Sequence, residues 1–135
     1  MLEADATVIR VLIVDDHPLM RKGLTDILAG VEGIEVVGAA EDGAAALALA
    51  HAVKPDIILM DISMPGMDGI EATRRLGEMD SNARVVMLTS YSEREKITQA
   101  LEAGAVSYLT KDSPPDGVIR AIRAAAMTSN RRQAD

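Results

Sequence analysis

Short apolar runs rich in Val and Ile recur along the chain, with almost no polar residue inside them. They predict five strands, which cover residues 9–14, 34–39, 57–60, 85–88 and 106–109. A short, nearly unbroken apolar run is typical of a strand buried on both faces, as in a parallel sheet. The pattern therefore predicts a sheet in the interior of the molecule.

Segments of helical period lie between these runs. One helix is predicted to begin at Pro18 and another to run from Val118 to Ala126, each with a single apolar stripe. The Ala-rich stretch 39–52 is more typical of a packed helix than of a linker. Ser92 and Glu95 have the spacing of a capping box. The helix that they predict has a thin apolar stripe, so we expect it to be the most loosely packed.

Strands and helices alternate five times along the sequence. Crossovers between parallel strands are right-handed and place helices on both faces of the sheet. The sequence therefore predicts an α/β fold, a doubly wound five-stranded parallel sheet with five helices. Ligands of such sheets bind outside the carboxyl ends of the strands, where the strand order reverses.

Composition narrows the possible functions. The length of 135 residues fits one domain, and a composition with 48% hydrophobic and 26% charged residues is that of a globular protein. Tyr91 and Tyr108 are the only aromatic residues, which argues against base stacking on single-stranded nucleic acid. The net charge of -7 opposes binding to phosphate backbones and anionic membranes. Arg131 and Arg132 are too few for a nucleic-acid patch.

The chain has no Cys, which excludes disulfides, thiolate nucleophiles and Cys-ligated metals. The first residues are acidic, and no apolar run approaches the ~20 residues that span a bilayer. We therefore expect neither a signal peptide nor a membrane anchor, and a cytoplasmic location.

Polar side chains stand where four of the predicted strands end. Asp15 and Asp16 follow the first strand, Asp61 the third, Thr89 the fourth and Lys111 the fifth. Because the carboxyl ends of parallel strands meet at one edge, we expect these side chains to converge. Clustered carboxylates need a cation, and hard oxygen ligands favour Mg²⁺.

The expected site suits phosphoryl transfer, because a metal ion and Lys111 can stabilise phosphoryl oxygens. Asp61 is the best nucleophile, since it ends the central strand and precedes a turn, and its attack would give an aspartyl phosphate. Phosphorylation adds negative charge and acceptor oxygens. Thr89 can donate its hydroxyl to these oxygens, and Tyr108 is large enough to fill the space that Thr89 leaves. This pair is a candidate two-state switch.

The motifs in which these residues stand resemble those of a known family. They are Val14-Asp15-Asp16-His17-Pro18, the run from Asp61 to Gly69, Leu88-Thr89-Ser90, and the run from Gly104 to Lys111. Together they resemble the receiver domain of two-component response regulators, most closely the NarL/FixJ (LuxR-type) subfamily, whose flavodoxin-like sheet has the strand order 2-1-3-4-5.

The resemblance implies a role for each residue. Asp61 would accept a phosphoryl group from a sensor histidine kinase. Asp16 and Asp61, with the backbone carbonyl of Ser63, would bind Mg²⁺, and Asp15 would act largely through water. Lys111 would bind the phosphoryl group, and Thr89 with Tyr108 would form the switch. The chain would be a phosphoacceptor with at most self-phosphorylation and self-dephosphorylation activity, not an enzyme acting on other substrates.

The resemblance also implies partners and boundaries. The fourth helix, fifth strand and fifth helix would form the output face, and homodimerisation is a family-level expectation. DNA would be bound only through a helix-turn-helix domain that this sequence does not contain. We expect a disordered extension at residues 1–6, the receiver domain at 7–128, and a polar tail or linker start at 129–135. In this chain Lys111 is followed by Asp112, where many receivers have Pro.

Other interpretations compete with these assignments. The alternative role for Asp16 is to cap the helix that begins at Pro18. Thr89 could be only a strand-forming residue, and Tyr108 could be only a core residue. His17 is interpreted as a surface residue rather than an acid or base, and Met64 and Met67 as packing residues. A pseudo-receiver that only binds a partner is one alternative for the whole chain. A metal-dependent phosphohydrolase using Asp15 or Asp61 is less favoured, because the Asp-x-Asp of haloacid-dehalogenase-type enzymes is absent.

Overall fold

The structure, a computed structural model, describes residues 7–128. The strands are β1 Ile9–Val14, β2 Ile34–Ala40, β3 Ile57–Asp61, β4 Arg84–Thr89 and β5 Ser107–Thr110. The α-helices are α1 Pro18–Leu28, α2 Gly43–Val53, α3 Gly69–Glu78, α4 Ile97–Ala103 and α5 Pro115–Ala126, and a 3₁₀ helix, Tyr91–Lys96, precedes α4. The predicted extension at 1–6 and tail at 129–135 lie outside the described residues.

All neighbouring strands are parallel, in the order β2-β1-β3-β4-β5. The predicted doubly wound, flavodoxin-like α/β fold is therefore confirmed. The chain moves outward from β1 to β2 and then returns to place β3 on the other side of β1. The strand order thus reverses between β1 and β3, and the carboxyl ends of these two strands mark the place where ligands bind in such folds.

The sheet separates two apolar layers. On one face, residues of α2, α3 and α4 pack on alternate strand residues that include Leu12, Val14, Ile58, Met60 and Met87. On the other face, α1 and α5 pack on Val11, Ile13, Leu59, Val86 and Leu88. Met64 is buried and Met67 packs against the first layer, so their interpretation as packing residues is confirmed. None of the helices within residues 7–128 combines the length and the apolar character that a membrane span requires.

Several predicted element ends are displaced. β3 and β4 each extend one residue further than predicted, to Asp61 and Thr89, because the hydrogen-bond ladder continues to the Ile62 N–H, which donates to the Leu88 carbonyl at 2.9 Å. β5 begins and ends one residue later than predicted. The prediction of one packed helix over 39–52 begins too early, since β2 runs to Ala40 and Asp42 caps α2.

The predicted capping box at Ser92 and Glu95 is wrong in register. The backbone N–H of Ser90 donates to the Glu93 carboxylate at 2.9 Å, so the box begins two residues earlier and opens a 3₁₀ helix. The α-helix that follows has only seven residues, and Ala100 is its one buried residue. This small buried stripe agrees with the expectation that the fourth helix is loosely packed.

Candidate functional site

The carboxyl edge of the sheet brings together acidic and basic residues that are far apart in the chain. Asp15 follows β1, Asp61 ends β3 and Lys111 follows β5. The Lys111 Nζ lies 3.0 Å from Asp61 Oδ2 and 3.2 Å from Asp15 Oδ2. One ammonium group therefore contacts two carboxylates at the point where the strand order reverses.

Backbone bonds of the sheet position Lys111. Its N–H donates to the carbonyl of Thr89 at 2.9 Å, which continues the β4–β5 pairing one residue beyond Thr110. The side chain is 19% exposed, so its ammonium group is partly shielded from water. Lys111 is thus held at the strand end, as its place after the apolar run predicted.

Asp15 is buried and fixed from several directions. Its backbone N–H donates to the Ala40 carbonyl at 3.1 Å, and its own carbonyl accepts from Arg21 Nη1 at 2.6 Å. Its Oδ1 accepts the backbone N–H of His17 at 2.8 Å. Asp15 is therefore held rigidly with its other oxygen, Oδ2, directed toward Lys111.

The structure does not support helix capping as the role of Asp16. The N-cap residue of α1 is His17, and no side chain caps this helix end. The Asp16 side chain is 26% exposed and its Oδ1 lies 3.2 Å from His17 Nδ1. Asp16 therefore belongs to the carboxylate cluster at the edge of the sheet.

Sequence reasoning interpreted His17 as a surface residue beside the site and missed its contacts with the carboxylates. Its side chain is 66% exposed, as expected of a surface residue, yet Nδ1 lies 3.0 Å from Asp15 Oδ1 and 3.2 Å from Asp16 Oδ1. The residue is thus both accessible to solvent and part of the cluster. Its position directly after two acidic residues at a strand end was the available signal.

The turn after β3 holds the Asp61 carboxylate in place. The Ser63 N–H donates to Asp61 Oδ1 at 3.2 Å, and the Gly69 N–H donates to the Ile62 carbonyl at 3.1 Å. At position 69 the start of α3 passes so close to β3 that a Cβ atom would lie 2.1 Å from the Asp61 carbonyl oxygen. Only glycine fits there.

Burial and neighbouring charges perturb the two central ionisable groups. The pKa of Asp61 is raised from 3.8 to about 7, mainly by burial and also by Asp15 and Asp16, while Lys111 opposes the increase. Burial alone lowers the pKa of Lys111, but Asp61 and Asp15 together raise it above its ordinary value. Lys111 is therefore charged at neutral pH, whereas Asp61 retains a proton in part of the molecules.

Three carboxylate oxygens among the described residues are buried without a hydrogen bond, namely Asp15 Oδ2, Asp16 Oδ1 and Asp61 Oδ2. Each has a basic group within 3.0–3.2 Å, but at unfavourable hydrogen-bond geometry. Donor atoms of Asp15, Asp16, His17 and Asp61 all lie within 4.8 Å of one another. This acidic pocket could bind a metal ion, because its three carboxylates share one ammonium group, that of Lys111, and a cation would balance their remaining negative charge.

Thr89 and Tyr108 lie near the pocket but not inside it. Thr89 is fully buried, and its hydroxyl donates to the Ser90 carbonyl at 3.0 Å rather than to Asp61. Tyr108 is 48% exposed, so it is not the core residue that the competing interpretation describes. The register pairs Tyr108 with Met87, two residues before Thr89, which places all three on the same face of the sheet.

Sequence reasoning also missed two charged residues of the 3₁₀ helix. Lys96 Nζ donates to the Ser63 hydroxyl at 3.4 Å. The pKa of Glu93 is lowered, although burial opposes this. The decrease comes from interactions with the Ser63 and Ser90 side chains and with the Ser90 backbone. No pattern in the sequence connects Lys96 with Ser63, which lies 33 positions earlier.

The strand order and the acidic pocket together define a flavodoxin-like domain. Its candidate cation site lies where the strand order reverses, between β1 and β3. Residues 11–123 match the response regulator receiver domain model. The chain belongs to the response regulator receiver domain family. Receiver domains of response regulators are typically signal receivers rather than enzymes.

Individual relatives agree with this membership. The chain is 45% identical over 115 residues to the response regulator GacA of Pseudomonas aeruginosa, covering 85% of this chain and 54% of GacA. It is 46% identical over 118 residues to the transcriptional regulatory protein LiaR of Bacillus subtilis, covering 87% of this chain and 56% of LiaR. The chain thus spans about half the length of these curated relatives.

A solved structure gives the same result. The signal receiver domain of the response regulator NarL from Mycobacterium tuberculosis superposes with a TM-score of 0.85 at 38% identity, and the match covers 90% of this chain and 98% of that domain. These relatives confirm the NarL/FixJ (LuxR-type) resemblance.

Proposed function

We propose that this chain is a phosphoacceptor, in which Asp61 takes a phosphoryl group from a phosphohistidine of a sensor histidine kinase in the presence of Mg²⁺. The observation that carries the proposal is the buried Asp61 carboxylate, whose Oδ2 lies 3.0 Å from the Lys111 ammonium beside Asp15 and Asp16. An Asp oxygen attacks phosphorus as the phosphorus–nitrogen bond of the donor breaks. The product is an aspartyl phosphate.

The residues present fit Mg²⁺. Three buried carboxylate oxygens, one each from Asp15, Asp16 and Asp61, have no hydrogen bond. In the group that could hold an ion, every ligand atom except the His17 nitrogen is a hard oxygen, which this ion prefers. Asp16, Asp61 and the backbone carbonyl of Ser63 would hold the ion, with Asp15 acting largely through water. When bound, Mg²⁺ supplies positive charge to the phosphoryl oxygens and to the attacking carboxylate.

Lys111 supplies the other positive charge. Its ammonium already contacts Asp61 and is charged at neutral pH, so it can bind a phosphoryl oxygen without a change in protonation. The raised pKa of Asp61 means that, without a divalent ion, the carboxylate is incompletely ionised near neutral pH. This protonation is a physical reason for a cation requirement, since only the ionised carboxylate is an effective nucleophile.

The added phosphoryl group would change the switch residues. An aspartyl phosphate carries a charge of roughly -2 and three acceptor oxygens. We infer that the Thr89 hydroxyl leaves the Ser90 carbonyl and donates to one of these oxygens, while Tyr108 moves from its exposed position into the space behind Thr89. The resulting shift changes the output face formed by α4, β5 and α5.

The output of the whole protein is proposed from its relatives. LiaR is named a transcriptional regulatory protein, and this chain covers 56% of it. We infer a cytoplasmic regulator that controls transcription through a helix-turn-helix domain outside this sequence. Homodimerisation through the receiver domain is part of the same proposal.

Labelling with a small acyl phosphate and Mg²⁺ tests the phosphoacceptor role. The wild type is expected to take up one phosphoryl group, and Asp61→Asn none. Asp56→Asn is a matched control, because Asp56 lies at the amino end of β3 and accepts the Arg10 N–H at 2.9 Å, away from the pocket. Equal labelling of wild type and Asp61→Asn would contradict the assignment.

A further inference from the structure

A basic residue outside the acidic pocket reaches the turn that holds the proposed phosphoacceptor. Lys96 ends the 3₁₀ helix before α4, and its Nζ lies 3.4 Å from the Ser63 hydroxyl. The backbone N–H of Ser63 in turn donates to Asp61 Oδ1 at 3.2 Å. Lys96 thus approaches Asp61 through the residue bound to Oδ1, whereas Lys111 contacts the other oxygen, Oδ2.

The half-buried side chain of Lys96 has no carboxylate partner within residues 7–128. Its only polar contact in this range is the Ser63 hydroxyl, which is neutral and at the long end of hydrogen-bond distances. The ammonium groups of Lys22 and Lys111, by contrast, lie 2.8–3.2 Å from carboxylate oxygens. An ammonium group has three donors, so Lys96 retains donors that an incoming anion can use.

The helix that carries Lys96 is anchored beside the pocket. The backbone N–H of Ser90, directly after β4, donates to the Glu93 carboxylate at 2.9 Å. The Glu93 carboxylate also interacts with the Ser63 side chain. The backbone of the 3₁₀ helix is therefore held next to the turn after β3, while the flexible stem of Lys96 allows its ammonium group to shift.

An aspartyl phosphate at Asp61 would supply the anion that Lys96 lacks. The pocket contains three carboxylates, and Lys111 is the ammonium group that contacts them. Phosphorylation would replace one carboxylate by a group with a charge of roughly -2 and three acceptor oxygens. This added charge would arise next to Ser63, where the Lys96 ammonium group already lies.

We propose that Lys96 is a second phosphoryl-binding residue, whose ammonium group leaves the Ser63 hydroxyl and donates to an oxygen of the aspartyl phosphate. The inference rests on the proposed function and adds a residue to its site. Because Lys96 directly precedes α4, the contact would connect the phosphoryl group with this helix of the output face. The alternative is that Lys96 acts only by orienting Ser63.

Affinity for beryllium trifluoride, a phosphoryl analogue that binds carboxylates, measures this contact at equilibrium. The whole chain is titrated in saturating Mg²⁺, and the complex is quantified by fluorine NMR. We expect Lys96→Gln to lower the affinity about five- to tenfold, since one charge-assisted hydrogen bond is lost at a partly exposed site. Lys96→Arg keeps the charge and should stay within about threefold of the wild type.

Lys54→Gln is the matched control, because it removes the same charge at a remote place. Lys54 is the C-cap residue of α2 and lines a cavity at the opposite, amino edge of the sheet. Its replacement should leave the affinity for the analogue unchanged. The comparison separates a contact made by Lys96 from the effect of a lower net charge.

Mg²⁺ affinity without the analogue distinguishes phosphoryl binding from a structural role. Removal of a positive charge near the pocket should leave the Mg²⁺ affinity of Lys96→Gln equal to that of the wild type or raise it. A distorted pocket would instead bind both Mg²⁺ and the analogue more weakly. In a Ser63→Ala background, Lys96→Gln should cause the same loss of analogue affinity, because the contact does not depend on the hydroxyl.

Unchanged analogue affinity in Lys96→Gln would overturn the inference, as would a loss in Lys96→Arg of the same size as in Lys96→Gln. A parallel fall in Mg²⁺ affinity would also overturn it. No further loss in the Ser63→Ala background would show that Lys96 acts only through Ser63. Failure of the wild type to bind the analogue in Mg²⁺ would contradict the proposed function itself, and the inference with it.

Discussion

Replacement of Asp61 by Asn should stabilise the metal-free protein, although it removes the proposed phosphoacceptor. The Asp61 carboxylate is fully buried, and burial is the largest cause that raises its pKa to about 7. This value already includes the attraction of Lys111, which opposes the increase. Asn is close in shape to the protonated carboxyl group and keeps an oxygen that can accept the Ser63 N–H. The variant therefore removes the unfavourable ionisation of the buried carboxylate and leaves the rest of the site nearly unchanged.

The size of the effect follows from the two pKa values. In the unfolded chain Asp61 ionises with its ordinary pKa of 3.8, and in the folded chain with a pKa of about 7. At about 1.4 kcal/mol for each tenfold change in an equilibrium constant, ionisation at pH 8 destabilises the folded wild type by about 4 kcal/mol. Because the folded pKa is the higher one, the wild type loses this stability progressively as pH rises from about 4 to about 7. Asp61→Asn has no such loss.

Urea unfolding in EDTA, followed by far-UV circular dichroism, measures this difference. At pH 8 the free energy of unfolding of Asp61→Asn should exceed that of the wild type by up to about 4 kcal/mol, and at pH 4 by less than about 1 kcal/mol. Saturating Mg²⁺ should narrow the difference, since an ion at about 100 times its Kd stabilises the wild type by about 2.7 kcal/mol. Asp26→Asn is the control, because Asp26 is 62% exposed and forms only a surface pair with Lys22. Equal stability of Asp61→Asn and wild type at pH 8, or a difference independent of pH, would show that ionisation of Asp61 does not destabilise the folded chain.

Two further substitutions test how the pocket is held together. Lys111→Gln leaves the carboxylates of Asp15 and Asp61 without their common ammonium group, so it should lower the free energy of unfolding in EDTA by about 2 kcal/mol. The loss should shrink when Mg²⁺ is added, whereas Lys22→Gln, which breaks an exposed pair, should stay within about 0.5 kcal/mol of the wild type. Gly69→Ala places a Cβ atom 2.1 Å from the Asp61 carbonyl and should destabilise the fold by about 3 kcal/mol or more. Gly23→Ala has no atom within 4 Å of the new Cβ and lies inside α1, so it should stabilise by roughly 0.5–1 kcal/mol. Thermal and urea unfolding of each pair measures these effects, and a Gly69→Ala chain as stable as Gly23→Ala would contradict the close approach of α3 to β3.

The sequence predicted the fold well because buried parallel strands have a strong pattern. The segments Val11–Val14 and Ile57–Met60 are apolar without interruption, and both are fully buried. Strand ends were less accurate, since the last residues are polar and only backbone pairing with a neighbouring strand decides whether they belong. Asp61 and Thr89 are such residues. The capping box moved by two residues because Ser90 and Ser92 both have a Glu three positions later.

The convergence of Asp15, Asp61 and Lys111 was predictable from topology alone, because each follows or ends a parallel strand. The contact of Lys96 with Ser63 was not, since it depends on side-chain direction across a gap between elements. The orientation of Asp15 illustrates this limit. Its Oδ1 accepts the N–H of His17 two residues later, which leaves Oδ2 for Lys111. The sequence does not show which of the two oxygens contacts which partner.

Peptide mapping of the phosphoryl group tests directly whether Asp61 is the phosphoacceptor. The chain is treated with a small acyl phosphate in Mg²⁺, and a parallel sample is treated in EDTA. We expect one phosphoryl group, on the peptide that contains Asp61. It should be removable by hydroxylamine and absent from the EDTA sample. A phosphoryl group on Asp15, on Asp16 or on a hydroxyl side chain would contradict this assignment, as would equal phosphorylation without a divalent ion.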